Sequence, residues 1–254
     1  MTGTYFRYII GILIATSLSA LFKLGFQFSA DESVLNRIFL ALGGDFLGGG
    51  YIQYLTYCFF FFGICEIVGF NLRIKEEREL LGMNLLPEEQ HKVINADDVA
   101  EIKHKVLNFE DQKSNQYYLT VLIAQAATKF RANESVPEVL ETVIRQSQLD
   151  TQAADSSQSM LRYVAWVIPS IGFIGTVLGI SGGIGAARGE MATEDIDKVT
   201  SLLGLAFDTT LIALVLSIII MFLIHRLQEN SESLHTEIEQ YVMNNFINRI
   251  YTSK

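Results

Sequence analysis

The sequence predicts an all-α membrane protein with four transmembrane helices and a sizeable helical part in water. Half of its 254 residues are apolar and only 19% are charged, and its mean hydropathy is +0.29. The apolar residues lie in four blocks, each close to the roughly 20 residues that a helix needs to cross a bilayer. No block or connecting stretch shows the alternation that is typical of strands.

The four blocks divide the chain into eight segments. We expect a first transmembrane helix in 1–28, an extracytoplasmic turn in 29–50, a second transmembrane helix in 51–70, a cytoplasmic helical region in 71–161, a third transmembrane helix in 162–187, an extracytoplasmic loop in 188–198, a fourth transmembrane helix in 199–225 and a cytoplasmic helical tail in 226–254. The first block also has features of a signal peptide, but its apolar stretch continues past Lys23 and the second block follows too soon for a mature domain between them.

Basic residues near the block ends indicate the orientation. One side has Arg7, Arg73, Lys75, Arg78, Arg162 and Arg226, and the other has Lys23, Arg37, Arg188 and Lys198. Since the more basic side faces the cytoplasm, we expect both termini and the region 71–161 to be cytoplasmic.

The polar region and the tail show helical periodicity. Asp97 and Asp98 are first-turn acids before an apolar series at helical spacing, and Pro137 suits the first turn of another helix. In the tail, Leu234, Ile238 and Val242 recur on one face, so the fourth span is expected to continue as a helix into the cytoplasm.

The composition excludes several classes of protein. The net charge is −9, which argues against nucleic acid as the main partner because phosphate binding needs a basic surface. Its four histidines (His91, His104, His225 and His235) are scattered, and we expect them to be solvated. No phosphate-binding loop, metal-ligand cluster or nucleophile–base set is present in the sequence, so we expect no enzyme activity and no cofactor.

The third block is unusually rich in glycine. Gly172, Gly175, Gly179 and Gly183 recur near Thr176 at spacings that bring several of them onto one face. Small residues let helix backbones approach closely in lipid. Two interpretations stay open: ordinary packing inside one subunit, or a tight path lined by the glycines and Thr176 that holds another helix.

The fourth block has small and mildly polar residues on one face, namely Ala206, Thr210, Ala213 and Ser217. It also contains Asp208, roughly halfway across, where a charge costs about 2.5–3.5 kcal/mol and usually marks a functional site. Asp208 is expected to face protein or water. It either contributes to an ion path or makes a structural hydrogen bond, for example to Ser201 or to a neighbouring subunit.

The two blocks run in opposite directions, so Thr176 and Thr210 both fall near mid-membrane. Two hydroxyls and one carboxyl at one depth, on small-residue faces, are the groups that an ion path across lipid needs.

Two stretches resemble the MotA/TolQ/ExbB proton-channel family. They are Ile168-Pro169-Ser170-Ile171-Gly172-Phe173-Ile174-Gly175-Thr176-Val177-Leu178-Gly179-Ile180 and Ala206-Phe207-Asp208-Thr209-Thr210-Leu211-Ile212-Ala213-Leu214. The resemblance is strongest from about 135 to 225. It implies a multi-pass protein of the bacterial inner membrane whose homopentamer surrounds the single spans of a dimeric partner similar to MotB, TolR or ExbD. Ion flow would drive rotation, and the partner's membrane aspartate would carry the ion.

The resemblance also implies roles for single residues. Thr176 matches the family's pore threonine, and the second pore threonine falls on Thr210 or Thr209, of which we favour Thr210 because it shares the small face. The glycines together with Ala206, Ala213 and Ser217 would pack around the partner. Asp208 stands where TolQ and ExbB usually have an apolar residue, and four spans resemble MotA more than those two proteins. Hydroxyls and carboxylates serve protons and sodium ions alike, and we expect protons. The alternative function is a membrane scaffold or sensor that assembles through its glycine-rich helices without ion transport.

Overall fold

The computed structural model of the chain describes residues 2–30, 33–87, 93–113, 116–187 and 193–251. The helices in these ranges are α1 (Thr2–Phe28), α2 (Val34–Ala41), α3 (Tyr51–Leu81), α4 (Ala96–Lys113), α5 (Tyr118–Asn133), α6 (Val136–Ser157), α7 (Ser159–Ala186) and α8 (Thr193–Asn245). A π-helical turn covers Phe46–Gly50 and a 3-10 turn covers Ile247–Arg249. Within the described ranges, β-pairing is limited to a single parallel bridge between Ile94 and Ile250.

The predicted fold class is confirmed. Four helical stretches are long and apolar enough to cross a membrane, and they include α1, α3, α7 and the first part of α8. The regions predicted to be helical between the second and third spans contain α4, α5 and α6. The protein is therefore an all-α membrane protein.

The chain forms two compact units. The first comprises residues 1–69 and 159–225 and contains the four apolar stretches, so we call it the membrane unit. The second comprises residues 70–158 and 226–254, and we call it the polar unit. Two helices, α3 and α8, contribute residues to both units.

The membrane unit has a surface of large apolar side chains. Phe173, Val177, Phe207, Leu211 and Ile218 are all more than half exposed in the single chain. Its buried positions include very small residues, because Ala15, Ala206 and Ala213 are fully buried. This distribution suits helices that pack closely at small residues and present bulky residues to lipid or to other helices.

The segment between the first two spans contains more structure than a turn. Ser33 caps α2 by accepting a hydrogen bond from the amide of Asn36 at 3.1 Å. Asp45 caps the π-helical turn in the same way, through the amide of Gly48 at 2.9 Å. Two side chains of α3 bind the backbone at the end of α2, since Tyr57 donates to Leu42 O at 3.0 Å and Gln53 donates to Ala41 O at 3.3 Å. These contacts hold α2 against the start of α3.

The predicted loop in 188–198 is wrong for its described part. The helix α8 begins at Thr193, and residues 193–198 belong to it. Thr193, Glu194 and Asp195 are residue types that favour the first turn of a helix, which explains the earlier start. The other residues of that segment, Arg188 among them, lie outside the described ranges.

The polar unit is built on one apolar core. Residues of α3 to α6 and of the end of α8 meet there, and Leu86, Leu122, Phe130, Leu234 and Phe246 are almost completely buried. His235 is also buried, at 5% exposure. The prediction of a solvated side chain is therefore wrong for His235, because this part of α8 packs into the core instead of facing water.

Candidate functional site

Two helices of the membrane unit, α7 and α8, pack against each other along a line of contact that we call the seam. On α7 the seam consists of Gly172, Gly175 and Gly179, which have no side chains. A Cβ atom added at Gly172 would lie 2.5 Å from the Cβ of Ala213, and one added at Gly179 would lie 2.7 Å from the Cβ of Ala206. At Gly175 the added atom would collide with the side chain of Thr209. The backbones are therefore in near contact, and the contacts run in opposite directions along the two helices.

This seam explains three of the four glycines within one chain. Gly172, Gly175 and Gly179 make room for α8, as the first of the two sequence-based interpretations expected. Gly183 differs, because an added Cβ there would come no closer than 3.7 Å to Val199 O, an ordinary contact. Ala206 and Ala213 are buried under the glycines, while Ser217, one turn beyond Ala213, is half-buried.

The seam brings Thr176 and Thr210 together. Their hydroxyl oxygens lie within hydrogen-bonding distance of each other, and each also lies close to a carbonyl oxygen of the opposite helix. Thr176 Oγ1 is 3.1 Å from Ala206 O, and Thr210 Oγ1 is 3.0 Å from Gly172 O. Because each hydroxyl has one proton, it donates either to its carbonyl or to the other hydroxyl. These two carbonyls belong to the residues four positions before Thr210 and Thr176, so the two hydroxyls are held in equivalent ways. Both side chains are half-buried at the edge of the seam.

Thr209 occupies a different position from Thr210. It is 2% exposed, it packs against Gly175, and its hydroxyl donates to Ala206 O of its own helix at 3.0 Å. Between the two candidates for the second pore threonine, the structure therefore places Thr210 beside Thr176 and Thr209 inside the helix contact.

Asp208 lies on α8, one turn before Leu211. It is 7% exposed and forms an ion pair with Arg37 of α2. The guanidinium donates from Nη1 to Oδ2 at 2.6 Å and from Nη2 to Oδ1 at 2.9 Å. This is the bidentate geometry in which arginine and carboxylate pair most strongly. Of the two structural partners suggested from the sequence, Ser201 is not the one that binds Asp208 within the chain, because Arg37 takes that place.

Sequence reasoning missed Arg37 as part of this site and counted it only as a flanking charge. The available signal was the rule that an ionisable group in a transmembrane helix needs a partner of opposite charge. Arg37 stands in the short helix between the first two spans, but only the folded chain shows that this helix reaches the level of Asp208.

A second contact fixes the same segment to α8. Gly49 has a φ of +133°, which an L-residue rarely adopts, and its Cα lies so close to the side chain of Leu205 that a Cβ would collide. Leu205 and Asp208 are three positions apart on α8. The segment from 34 to 50 is therefore held to one turn of α8 by an ion pair and by a close backbone approach.

The chemistry of the site is that of hydroxyls, backbone carbonyls and one ion pair. A hydroxyl that donates its proton to a carbonyl still has lone pairs for accepting hydrogen bonds. Thr176 and Thr210 can thus accept from water or coordinate a small cation. Among the described residues, no group of three or more His, Cys, Asp or Glu side chains is arranged to hold a metal ion.

Comparison with known proteins identifies one family. The family model of the MotA/TolQ/ExbB proton channel family matches residues 112–240, just over half of the chain. The matched range includes α5, α6, α7 and most of α8, and so contains Thr176, Asp208 and Thr210. Searches of curated proteins and of solved structures gave no match.

Proposed function

The chain belongs to the MotA/TolQ/ExbB proton channel family, and we propose that it is the ion-conducting subunit of a rotary motor in the bacterial inner membrane. Five copies surround the single transmembrane helices of a dimeric partner similar to MotB, TolR or ExbD. Proton flow, or sodium flow, turns one part of the complex against the other. Both termini and the polar unit lie in the cytoplasm.

The observation that carries this proposal is the hydroxyl pair Thr176–Thr210 on adjacent apolar helices. Both hydroxyl protons are taken up by backbone carbonyls or by the other hydroxyl, so the oxygen lone pairs are what remains for an ion or its water. The pair is half-buried at the edge of a seam between helices that otherwise expose large apolar residues. A polar spot in such a surface suits the wall of an ion path.

In this proposal Asp208 anchors the wall and does not carry the ion. Its two carboxylate oxygens are already bonded to the guanidinium of Arg37, which competes with any cation. The ion pair joins α2 to α8 two residues before Thr210. The carboxyl group that takes up the transported ion is supplied by the partner.

Other surfaces of the membrane unit serve the assembly. A Cβ at Gly185 would meet none of the described residues within 4 Å, and one at Gly183 would make only ordinary contacts. Another helix can therefore approach α7 at Gly185, whereas the seam at Gly172, Gly175 and Gly179 is filled by the same chain. The partner's helices and neighbouring copies therefore pack on the outward faces of α7 and α8.

Ion flux into vesicles tests the role of the hydroxyls. The complex, purified from native membranes with its partner and reconstituted, is expected to pass protons down an imposed gradient. Thr176→Val and Thr210→Val should lower the flux at least about tenfold, or about 1.4 kcal/mol in activation free energy. Thr176→Ser keeps the hydroxyl and should retain flux.

Thr200→Val is the matched control, because Thr200 lies on α8 with Thr210 and is exposed. Within the described part of the chain it donates only to Ile196 O, at 2.9 Å. Full flux in both pore variants would remove the hydroxyls from the path. A particle without five-fold symmetry or central helices would contradict the motor assembly. If wild-type complex passed neither protons nor sodium ions while its biological activity persisted, the scaffold function would be favoured instead.

A further inference from the structure

Two buried polar atoms of the polar unit border the same small cavity without a partner among the described residues. His235 and Gln158 are 5% and 3% exposed, and neither His235 Nε2 nor Gln158 Oε1 has a hydrogen-bond partner. The cavity has a volume of about 30 Å³, and Glu77, Tyr118 and Ser231 also border it. A buried polar group without a partner is destabilising, so two at one cavity indicate a polar molecule that bonds to them.

The cavity has the size and polarity for water. One buried water needs about 10–15 Å³ of cavity volume and two or more polar partners. The cavity therefore has room for roughly two water molecules. Gln158 Oε1 accepts hydrogen bonds only, and the neutral imidazole of His235 can accept at the nitrogen without a proton. Water can donate to both groups.

Glu77 adds a buried carboxyl group to this cluster. Glu77 is 1% exposed. Both of its carboxylate oxygens accept a hydrogen bond from the amide of Tyr118, at 3.0 and 3.1 Å. Tyr118 is the first residue of α5, so the carboxyl group caps the positive end of that helix. The ring of Tyr118 packs edge-on against His235, with 4.8 Å between ring centres.

The cluster joins helices that are far apart in sequence. Glu77 lies on α3, and His235 lies on α8. Each of these helices also includes an apolar stretch that belongs to the membrane unit. Gln158 ends α6 and directly precedes α7. The cavity is therefore bordered by the polar parts of α3 and α8, which contain the second and fourth spans. Gln158, the residue before α7, also borders it.

We propose that the cavity between Glu77, Gln158 and His235 is a proton-binding site, in which one or two water molecules complete the hydrogen bonds and the Glu77 carboxyl group takes up the proton. The packing of α3, α5 and α8 in the polar unit then depends on pH. This inference is independent of ion transport through the membrane unit.

The surroundings of Glu77 and His235 support uptake near neutral pH. Burial raises the pKa of Glu77 to about 7, against the opposing effects of the Tyr118 amide and of Arg73. Burial lowers the pKa of His235. The charged and titratable groups that face the cluster are Arg73 on α3, Tyr118 on α5, Asp150 on α6 and His235 on α8. Burial also raises the pKa of Asp150, which therefore adds an effect of the same sign as that of Glu77.

The two groups change stability with pH in opposite directions. A carboxyl group with a raised pKa stabilises the packed state below its unfolded value of 4.5, and this stabilisation is lost as the pH rises to about 7. A histidine with a lowered pKa stabilises the packed state above its unfolded value of 6.5, and this stabilisation is lost as the pH falls below 6.5. Just below pH 6.5 the two effects therefore oppose each other.

Amide hydrogen exchange of residues 118–122, corrected for the intrinsic rate, tests this opposition in the full-length protein. Measured between pH 5 and 6.5, wild type should change less than either of the two single variants described next. Glu77→Gln should lose protection as the pH falls in that range, and His235→Gln should lose it as the pH rises, by up to roughly tenfold per pH unit. Glu79→Gln, an exposed neighbour on the same helix, should behave as wild type.

Infrared spectroscopy and a high-resolution map provide the second measurement. The band of a protonated carboxyl group should appear as the pH falls through about 7, be absent in Glu77→Gln and remain in Glu79→Gln. The map should show water within hydrogen-bonding distance of His235 Nε2 and Gln158 Oε1. A dry cavity, parallel exchange profiles in the two single variants, or a band that persists in Glu77→Gln would overturn the proposal. Should Glu77→Gln fail to fold, the profile of His235→Gln and the wild-type band still decide it.

Discussion

Each unit contains an arginine and a carboxylate joined by two hydrogen bonds, but the two pairs differ in their exposure to solvent. In the membrane unit, Arg37 binds Asp208 at 2.6 and 2.9 Å, and the Asp208 side chain is 10% exposed. In the polar unit, Arg78 binds Glu237 at 3.0 Å through both oxygens, and the Glu237 side chain is 40% exposed. Water can replace the partner of Glu237, whereas Asp208 has little access to water. The same chemical contact is therefore structural in one unit and minor in the other.

The largest effect is expected from Arg37→Ala, which leaves Asp208 buried without a partner. Loss of one member of a fully buried pair costs about 3–5 kcal/mol, and because Arg37 is half-exposed we expect about 2 kcal/mol. Asp208→Asn should cost less, since water can solvate the remaining guanidinium. Thermal unfolding of the purified complex in detergent measures both.

The charge exchange Arg37→Asp with Asp208→Arg separates an anchor from an ion carrier. An anchor needs opposite charges in either order, so the double variant should recover much of the stability and ion flux that the single variants lose. If Asp208 itself carries the ion, the exchange will leave flux abolished although the protein is folded. That result would reverse the role proposed for Asp208.

Intermediate effects are expected at the glycines, and they separate contacts inside the chain from contacts between chains. Gly172→Ala, Gly175→Ala and Gly179→Ala introduce a methyl group into a filled seam and should each destabilise the subunit by about 1–3 kcal/mol. Gly183→Ala makes only ordinary contacts and Gly185→Ala meets no described residue, so both should leave the unfolding temperature of the subunit nearly unchanged.

Native mass spectrometry of the same five variants measures their assembly, and so separates contacts inside the chain from contacts between chains. Loss of the oligomer or of the partner in Gly183→Ala or Gly185→Ala, with the subunit intact, places another chain at that end of α7. Equal destabilisation by all five substitutions would contradict the distinction between a filled seam and an open end.

The smallest effect is expected from Glu237→Gln in the polar unit. Exposed ion pairs contribute about 0.2–1 kcal/mol, and salt screens them. The loss of unfolding free energy should stay within this range and decrease further at high salt. A loss as large as that of Arg37→Ala would mean that solvent exposure does not explain the difference between the two pairs.

Much of the fold and part of the site follow from local sequence patterns. Apolar blocks of span length predicted the four membrane-crossing helices, because bilayer thickness fixes the length of apolar helix that is needed. The Gly-Thr-Val element at Gly175 and Thr176 indicated the family. The partner of Asp208 was predicted incorrectly, since Arg37 is 171 positions away in sequence and no periodicity connects the two.

The sequence also did not predict which single polar residues are buried. His235 has the same local surroundings as a surface residue of an amphipathic helix, and its place in the core depends on α5 packing over it. The described beginning of α8 at Thr193 was missed for a more local reason, because the apolar pattern of the span starts later than the helix does.

The amino-acid sequence alone determined the number of apolar helices, their lengths and the residues with which the family is recognised, because these depend on composition and spacing within about twenty residues. The tertiary structure decided which helix the glycines face, that Thr210 and not Thr209 meets Thr176, and which cation neutralises Asp208. These are contacts between residues distant in the chain, and their geometry is fixed only when whole helices pack against each other.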